Sequence, residues 1–195
     1  MGESMFPSAD AVSFVCGNPG KIREAESIMK DSYIKIHYVK LDLPENQGDS
    51  DFVSKSKCKS ATSVVKGPVI VEDTSLCFNA LHGLPGPYIK WFYEKLGSEG
   101  LHRLLAGWED KSASAVCTLA FTEGPGKEVF LFSGEVKGTI VPPRGDYGFG
   151  WDSCFQPEGS VRTFAEMSSE EKNEFSHRHK ALLKLKAYLI SQISG

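Results

Sequence analysis

PVIVEDTSLCFNALHGLPGPYIKWF, residues 68–92, is the stretch on which the reading of this chain turns. Val69, Ile70 and Val71 form an apolar, β-branched run that predicts a buried strand. Glu72 and Asp73 follow at once, and adjacent acids at the end of a buried strand are costly to desolvate unless a cation sits against them. A divalent metal carrying a phosphate is one such cation; a strand running out into a solvated turn is the plainer alternative. Residues 83–87, Gly-Leu-Pro-Gly-Pro, form a rigid turn with permissive glycines. The turn leads into Tyr88-Ile89-Lys90-Trp91-Phe92, where a single lysine among four large apolar or aromatic residues is expected to aim at a ligand.

Upstream of this stretch, a loose segment runs to about Asp10 and Val12-Ser13-Phe14-Val15 predicts a short strand. Cys16-Gly17-Asn18-Pro19-Gly20-Lys21 follows. Asn18 suits a helix N-cap and Pro19 the first helical position, and Ile22, Ala25 and Met29 recur at helical spacing. Strand, glycine turn and helix N-terminus together form an anion site, because free backbone N–H groups and the helix dipole face the ligand and Lys21 adds a full charge. The segment matches neither GxxxxGK[ST] nor GxGxxG, and a βα turn can hold Gly and Asn for backbone reasons alone. Residues 34–39 alternate and predict a second strand, parallel to the first through the crossover helix. A loop with Glu45 follows. Ser50 then caps a helix whose apolar side carries Val53, Ala61, Val64 and Val65, while Lys55, Lys57 and Lys59 crowd the remainder. The first third therefore reads as βαβαβ.

Downstream, Leu96, Leu101, Leu104 and Leu105 mark the core positions of a helix interrupted by Gly97 and Gly107. Two long strands, 112–122 and 128–136, are joined by a Glu-Gly-Pro-Gly-Lys hairpin loop. Residues 149–155, FGWDSCF, set three aromatics around one acid; an exposed base-stacking platform and a plain core strand both fit. Ser168 to Glu171 has capping-box spacing and opens a helix carrying Lys172 and Asn173. From Ser176 the helical pattern restarts, with Leu182, Leu185 and Leu189 on its buried side and His177 and Arg178 near its start.

The 195 residues suit one domain, 1–195, with ample material for a core. A 41% hydrophobic composition without any long apolar run fits a soluble protein and predicts no membrane span. A net charge of -3 argues against a general nucleic-acid binder. Five cysteines, Cys16, Cys58, Cys77, Cys117 and Cys154, include no CxxC pair, and no signal peptide is evident. Reduced thiols in a cytoplasmic protein are expected rather than a disulfide framework or zinc site.

CGNPGK, LPENQG, the long motif from Val71 to Phe92, FGWDSCFQP, TFAEM, EEKN and SHRHKAL stand in the order and spacing of the inosine triphosphate pyrophosphatase family. The chain resembles that family, and its eukaryotic members in particular, over nearly its whole length. The resemblance implies an α/β, elongated two-lobed fold: a long, mixed, twisted sheet flanked by helices, with a nucleotide cleft between the lobes. It implies hydrolysis of ITP, dITP and XTP to the nucleoside monophosphate and pyrophosphate, by a homodimer that uses Mg2+, with Mn2+ as a substitute. Residue by residue, it assigns Cys16, Gly17, Asn18, Pro19, Gly20 and Lys21 to the triphosphate, and Lys57 and Lys90 to phosphate. Glu45 and Asp73 would hold the metal with Glu72 in support, and Asp73 would also take the proton of the attacking water. Phe149, Gly150, Trp151, Asp152, Lys172, His177 and Arg178 would hold the ribose and base. The chain departs from the family at Cys16, where members carry Thr or Ser, and at Gly20, where close relatives often have lysine. The rival readings are a related hydrolase of methylated or pyrimidine nucleotides and a non-catalytic RNA-binding module using the basic stripe from His177 to Lys186.

Overall fold

The structure is a computed structural model and describes residues 11–32 and 34–193; the loose N-terminal segment expected before Asp10 lies outside them. The first third follows the expected order: β1 (Val12–Val15), α1 (Pro19–Met29), β2 (Ile36–Val39), α2 (Ser50–Val64) and β3 (Val69–Phe78). Asn18 caps α1, its Oδ1 accepting from the Gly20 amide at 2.8 Å, and Pro19 occupies the first turn. The cap of α2 is Asp49 rather than Ser50: the Asp49 carboxylate accepts from Phe52 N at 2.8 Å, and Ser50 becomes the first helical residue. Asp and Ser compete on nearly equal terms for this role, so the choice is settled by backbone conformation rather than residue type.

The chain continues with β4 (Pro85–Gly86), α3 (Ile89–Arg103), β5 (Ser112–Thr122), β6 (Phe130–Ile140), β7 (Phe155–Pro157), α4 (Ser169–Asn173) and α5 (His177–Ile193). Among the described residues seven strands form one mixed sheet in the order β2-β1-β3-β5-β6-β7, with β4 pairing to β3. β1 runs parallel to both β2 and β3, with Phe14 opposite Tyr38 on one side and Ile70 on the other. β3 is ten residues long and carries Glu72 and Asp73 in its middle, so the acids do not end the strand. Residues 149–155 are neither platform nor continuous strand: Gly150–Cys154 is a 3₁₀ turn, and β7 starts only at Phe155. α3 begins before Lys90 and kinks at Gly97, whose φ of 61° is the left-handed value that glycine adopts without strain.

The chain divides into two compact units. One holds the described residues up to Asp73, Thr118–Ser133 and the described residues from Ala181. Its core gathers Val15, Cys58, Ala61, Val65, Val69, Val71 and Ala120, and Tyr188 of α5 packs its ring against Phe121, Phe130 and Phe132. Val64, expected on the buried side of α2, is exposed. The other unit holds Thr74–Cys117 and Gly134–Lys180, around a core that includes Leu76, Phe78, Leu101, Leu105, Ile140, Phe155 and Phe164. Leu96, placed in that core by periodicity, lies on the surface instead, because the kink at Gly97 rotates the preceding turn out of phase with the rest of α3. Among the described residues no helix is long and apolar enough to cross a membrane.

Candidate active site

In the first unit, the strand order β2-β1-β3 creates a topological switch point. The chain leaves β1 in one direction to reach β2 and returns past it to β3, so right-handed crossovers place α1 and α2 on opposite faces of the sheet. Ligands of open α/β sheets bind where this reversal occurs, beyond the carboxyl ends of the parallel strands. Two sequence features meet there. The loop Cys16-Gly17-Asn18 follows β1, and Glu72 and Asp73 follow the part of β3 that pairs with β1.

Successive residues of a strand point to opposite faces, so the two adjacent acids meet different helices. Glu72 pairs with Lys21 of α1, Oε1 to Nζ at 3.2 Å. Asp73 pairs with Lys57 of α2 at 3.4 Å, and the same ammonium lies 3.2 Å from Glu45 Oε1 and 3.1 Å from the Glu72 carbonyl oxygen. Both acids are nearly inaccessible, 3% and 5% exposed. Burial pushes the Asp73 carboxyl above its ordinary value, and Lys57 and Lys21 oppose that shift without cancelling it. Its second oxygen, Oδ2, is buried and has no hydrogen-bond partner among the described residues. These donors are hard oxygens with one left unsatisfied, which fits a cation such as Mg2+ that keeps several of its own waters and takes only one or two carboxylates. Glu72 is engaged with Lys21, and no group of three acids, histidines or cysteines set to hold a metal forms among the described residues.

The anion cradle at α1 differs from the expectation of free N–H groups. Asn18 Oδ1 takes the Gly20 and Lys21 amides at 2.8 and 3.3 Å, and Pro19 has none to offer. The Cys16 sulfur accepts from Asn18 N at 3.5 Å and donates to Asn18 O at 3.7 Å, so the thiol braces the turn. Lys21 adds a full positive charge beside this loop, paired with Glu72.

In the second unit, the 3₁₀ turn, α4 and the start of α5 build an aromatic and cationic cluster. Asp152 Oδ2 accepts from Phe149 N at 2.9 Å, which fixes the turn, and from Lys172 Nζ at 2.6 Å. Gly148 makes the approach feasible: its φ is 78°, and a Cβ there would lie 2.3 Å from Asp152 Oδ2. The Lys172 ammonium lies 4.9 Å from the Phe149 ring centroid and 5.2 Å from that of Phe164. The Arg178 guanidinium carbon lies 5.8 Å from the same Phe149 ring, and Nη2 donates to Thr74 Oγ1 at 3.4 Å. His177 lies against Trp151 and Phe164, with ring centroids 5.6 and 6.0 Å away. Lys172, His177 and Arg178 are each at most 2% exposed. Three polar residues buried against aromatic faces, with a carboxylate among them, can grip a planar heterocycle by stacking and by donated hydrogen bonds.

Lys90, expected to aim at a ligand, is exposed on α3 with its ammonium 5.2 Å from the Trp91 ring. Phe164 and Thr74 are cluster members that sequence reading did not single out. Phe164 follows Thr163, whose amide donates to Glu166 Oε2 at 2.8 Å as in one half of a capping box, and that T-x-x-E spacing was the available signal. A polar scaffold holds this region: Arg144 donates to Glu166 and Gln156, and Arg162 forks onto the two oxygens of Glu171 at 2.9 and 3.2 Å. Glu171 in turn closes the Ser168 capping box, fixing the short helix that carries Lys172.

Fold and site together define a mixed α/β protein with a carboxylate–lysine centre at a switch point and an aromatic–cationic cluster. The chain belongs to the Ham1 family, whose model matches residues 12–188. It is 55% identical over 179 residues to the inosine triphosphate pyrophosphatase of Yarrowia lipolytica, covering 92% of this chain and 95% of that protein. Among solved structures it resembles a HAM1 protein from Coxiella burnetii (TM-score 0.80, 26% identity, 92% of this chain and 99% of that one) and the Ham1 protein of Staphylococcus aureus (0.73, 28%, 92% and 99%). A nucleoside-triphosphatase and dITP/XTP pyrophosphatase from Mycobacterium abscessus is also similar (0.69, 26%, 90% and 98%).

Proposed function

We propose that this protein hydrolyses ITP, dITP and XTP to the nucleoside monophosphate and pyrophosphate, clearing deaminated purine nucleotides from the pool. The observation that carries the reading is Asp73: a buried carboxyl with a raised pKa, one oxygen on Lys57 and the other without a hydrogen-bond partner among the described residues, beside a second acid, Glu45. The names borne by the Yarrowia and Mycobacterium relatives support the choice of substrate.

Hydrolysis at the α-phosphorus needs an activated water, screened phosphate oxygens and a stabilised pyrophosphate leaving group. Asp73 Oδ2 accepts a proton from the water as its oxygen bonds to phosphorus; a raised pKa makes the carboxylate a better proton acceptor than an ordinary surface acid. Glu45 and Asp73 would hold Mg2+, or Mn2+ in its place, which would neutralise the phosphate oxygens when bound. Lys21 and Lys57 contribute positive charge to the polyphosphate. Cys16 and the turn it braces shape the loop against the phosphates.

Base choice belongs to Phe149, Trp151, Asp152, Lys172, His177 and Arg178. Hypoxanthine and xanthine present a 6-oxo acceptor where adenine presents an amino donor. A buried donor from Arg178 or His177 is satisfied by the former and left unpaired by the latter, a difference worth up to ~10⁴-fold. For its setting we propose a cytoplasmic homodimer, which sedimentation and cell fractionation test.

A panel of nucleoside triphosphates assayed with Mg2+ for pyrophosphate release is the direct test of the function. ITP, dITP and XTP should far exceed ATP, GTP and the pyrimidine nucleotides in kcat/KM. A flat profile, or turnover confined to methylated or pyrimidine nucleotides, would overturn the reading.

A further inference from the structure

Lys57 is surrounded by the oxygens that a hard divalent cation would use. Its ammonium touches Glu45 Oε1, Asp73 Oδ1 and the Glu72 carbonyl, all between 3.1 and 3.4 Å, and its side chain is 11% exposed. Two carboxylates and a carbonyl around a small, charged centre are oxygen donors of the kind a Mg2+ site employs. We propose that Lys57 is an internal place-holder for the cation. In the nucleotide-free protein it neutralises Glu45 and Asp73 and keeps a lone divalent ion out; when a polyphosphate arrives with its metal ion, the ammonium gives up the carboxylates and turns to the phosphate oxygens. The inference rests on the metal-dependent reading of the site. It goes further by making the metal–polyphosphate complex, rather than either component alone, the species that the site accepts.

Charge supports the exchange. The Lys57 ammonium is shared by Glu45 and Asp73, while Glu72 faces Lys21. A lone divalent ion entering beside the Lys57 ammonium meets strong like-charge repulsion in a buried setting. A polyphosphate removes that obstacle because it gives the displaced ammonium new oxygens. Lysine is well matched to such a swap, since its point charge sits on a flexible four-carbon stem and can change partners by rotation about side-chain bonds, without backbone movement. Lys21 of α1 lies 3.2 Å from the Glu72 carboxylate, which leaves that carboxylate out of the exchange.

The test is calorimetric titration of Mg2+ into the nucleotide-free protein at fixed ionic strength, comparing wild type, Lys57→Met and Lys57→Arg. Removing the ammonium should tighten Mg2+ binding at least ~10-fold. Lys57→Arg should bind as weakly as wild type. A folded Lys57→Met protein that binds Mg2+ no more tightly than wild type would overturn the proposal. Should Lys57→Met fail to fold, side-chain ¹⁵N NMR of the wild-type protein decides the matter with inorganic pyrophosphate as the probe. The Lys57 Nζ resonance should move when Mg2+ and pyrophosphate are added together and stay in place with either alone; movement with pyrophosphate alone would refute the exchange. ITP turnover by the same wild-type preparation is recorded alongside. Loss of that activity would count against the pyrophosphatase reading, whereas the metal titration judges Lys57 by itself.

Discussion

Replacing Lys172 by methionine should be among the most damaging single changes to this protein, and the reason can be worked from distances. The Lys172 ammonium lies 2.6 Å from Asp152 Oδ2, with the two side chains only 3% and 4% exposed. It also lies over the Phe149 and Phe164 rings at 4.9 and 5.2 Å. Methionine keeps the apolar stem and removes the charge, leaving the buried Asp152 carboxylate on the Phe149 amide without its counter-ion. Breaking a buried pair from one side costs about 3–5 kcal/mol, because the surviving charge stays buried and uncompensated. For a chain of this size that lowers Tm by roughly 6 to 20 °C. Asp152→Asn removes the carboxylate charge facing the lysine and should cost a similar amount. The double variant Lys172→Met/Asp152→Asn should recover much of the loss, giving a coupling of more than ~1.5 kcal/mol in a double-mutant cycle. Urea denaturation of the four proteins measures it. Single variants within about 1 kcal/mol of wild type, with no coupling, would refute the claim that this pair holds the aromatic cluster together.

Other expectations follow from single features of the structure. Gly148→Ala places a methyl group 2.3 Å from Asp152 Oδ2 at a φ of 78°, so it should cost about 1–2 kcal/mol in backbone strain alone; denaturation no different from wild type would show that the turn relaxes freely. Asp73→Asn should abolish ITP hydrolysis while circular dichroism stays native, and retained turnover would remove Asp73 from the chemistry. Cys58 and Cys154 are buried, and burial pushes their thiols from an ordinary 9.0 to about 12. A raised thiol favours the fold while it stays protonated, so that contribution is intact below pH ~9 and is lost as pH climbs towards ~12. Stability should therefore decline across that alkaline interval, and Cys58→Ala/Cys154→Ala should flatten the decline; an unchanged slope would exclude these thiols as its source. Cys16→Thr should leave KM for ITP unchanged or lower it, and a raised KM would show that the thiol bracing of Asn18 matters more than a hydroxyl donor.

Much of the fold was legible where a local rule decides the outcome. Asn18 and Pro19 start α1, Ser168 and Glu171 form their capping box, and β5 has its expected bounds because in each case neighbouring residues satisfy one another's backbone groups. Local rules failed where a partner distant in sequence overrides them. Glu72 and Asp73 looked like the end of a strand, yet β3 continues to Phe78 because Lys21 and Lys57 meet the two acids on opposite faces. The FGWDSCF stretch could not be read because its conformation depends on Lys172, twenty residues beyond Asp152. Leu96 went astray because periodicity assumes a straight helix and Gly97 bends this one. At the site, residue types singled out Glu72 and Asp73 as buried acids in need of a positive partner, but only coordinates reveal that one ammonium serves both Glu45 and Asp73. The capping contacts of Glu166 and Glu171, reinforced by Arg144 and Arg162, were equally hidden, since exposed arginines offer no sequence signal of the carboxylates they will meet.

The central claim is that water, activated at Asp73, attacks the α-phosphorus and expels pyrophosphate. Hydrolysing ITP to completion in H₂¹⁸O with Mg2+ and locating the label by mass spectrometry tests it most directly. The account requires one ¹⁸O atom in inosine monophosphate and none in pyrophosphate. Label in pyrophosphate, or release of labelled orthophosphate with inosine diphosphate, would contradict it.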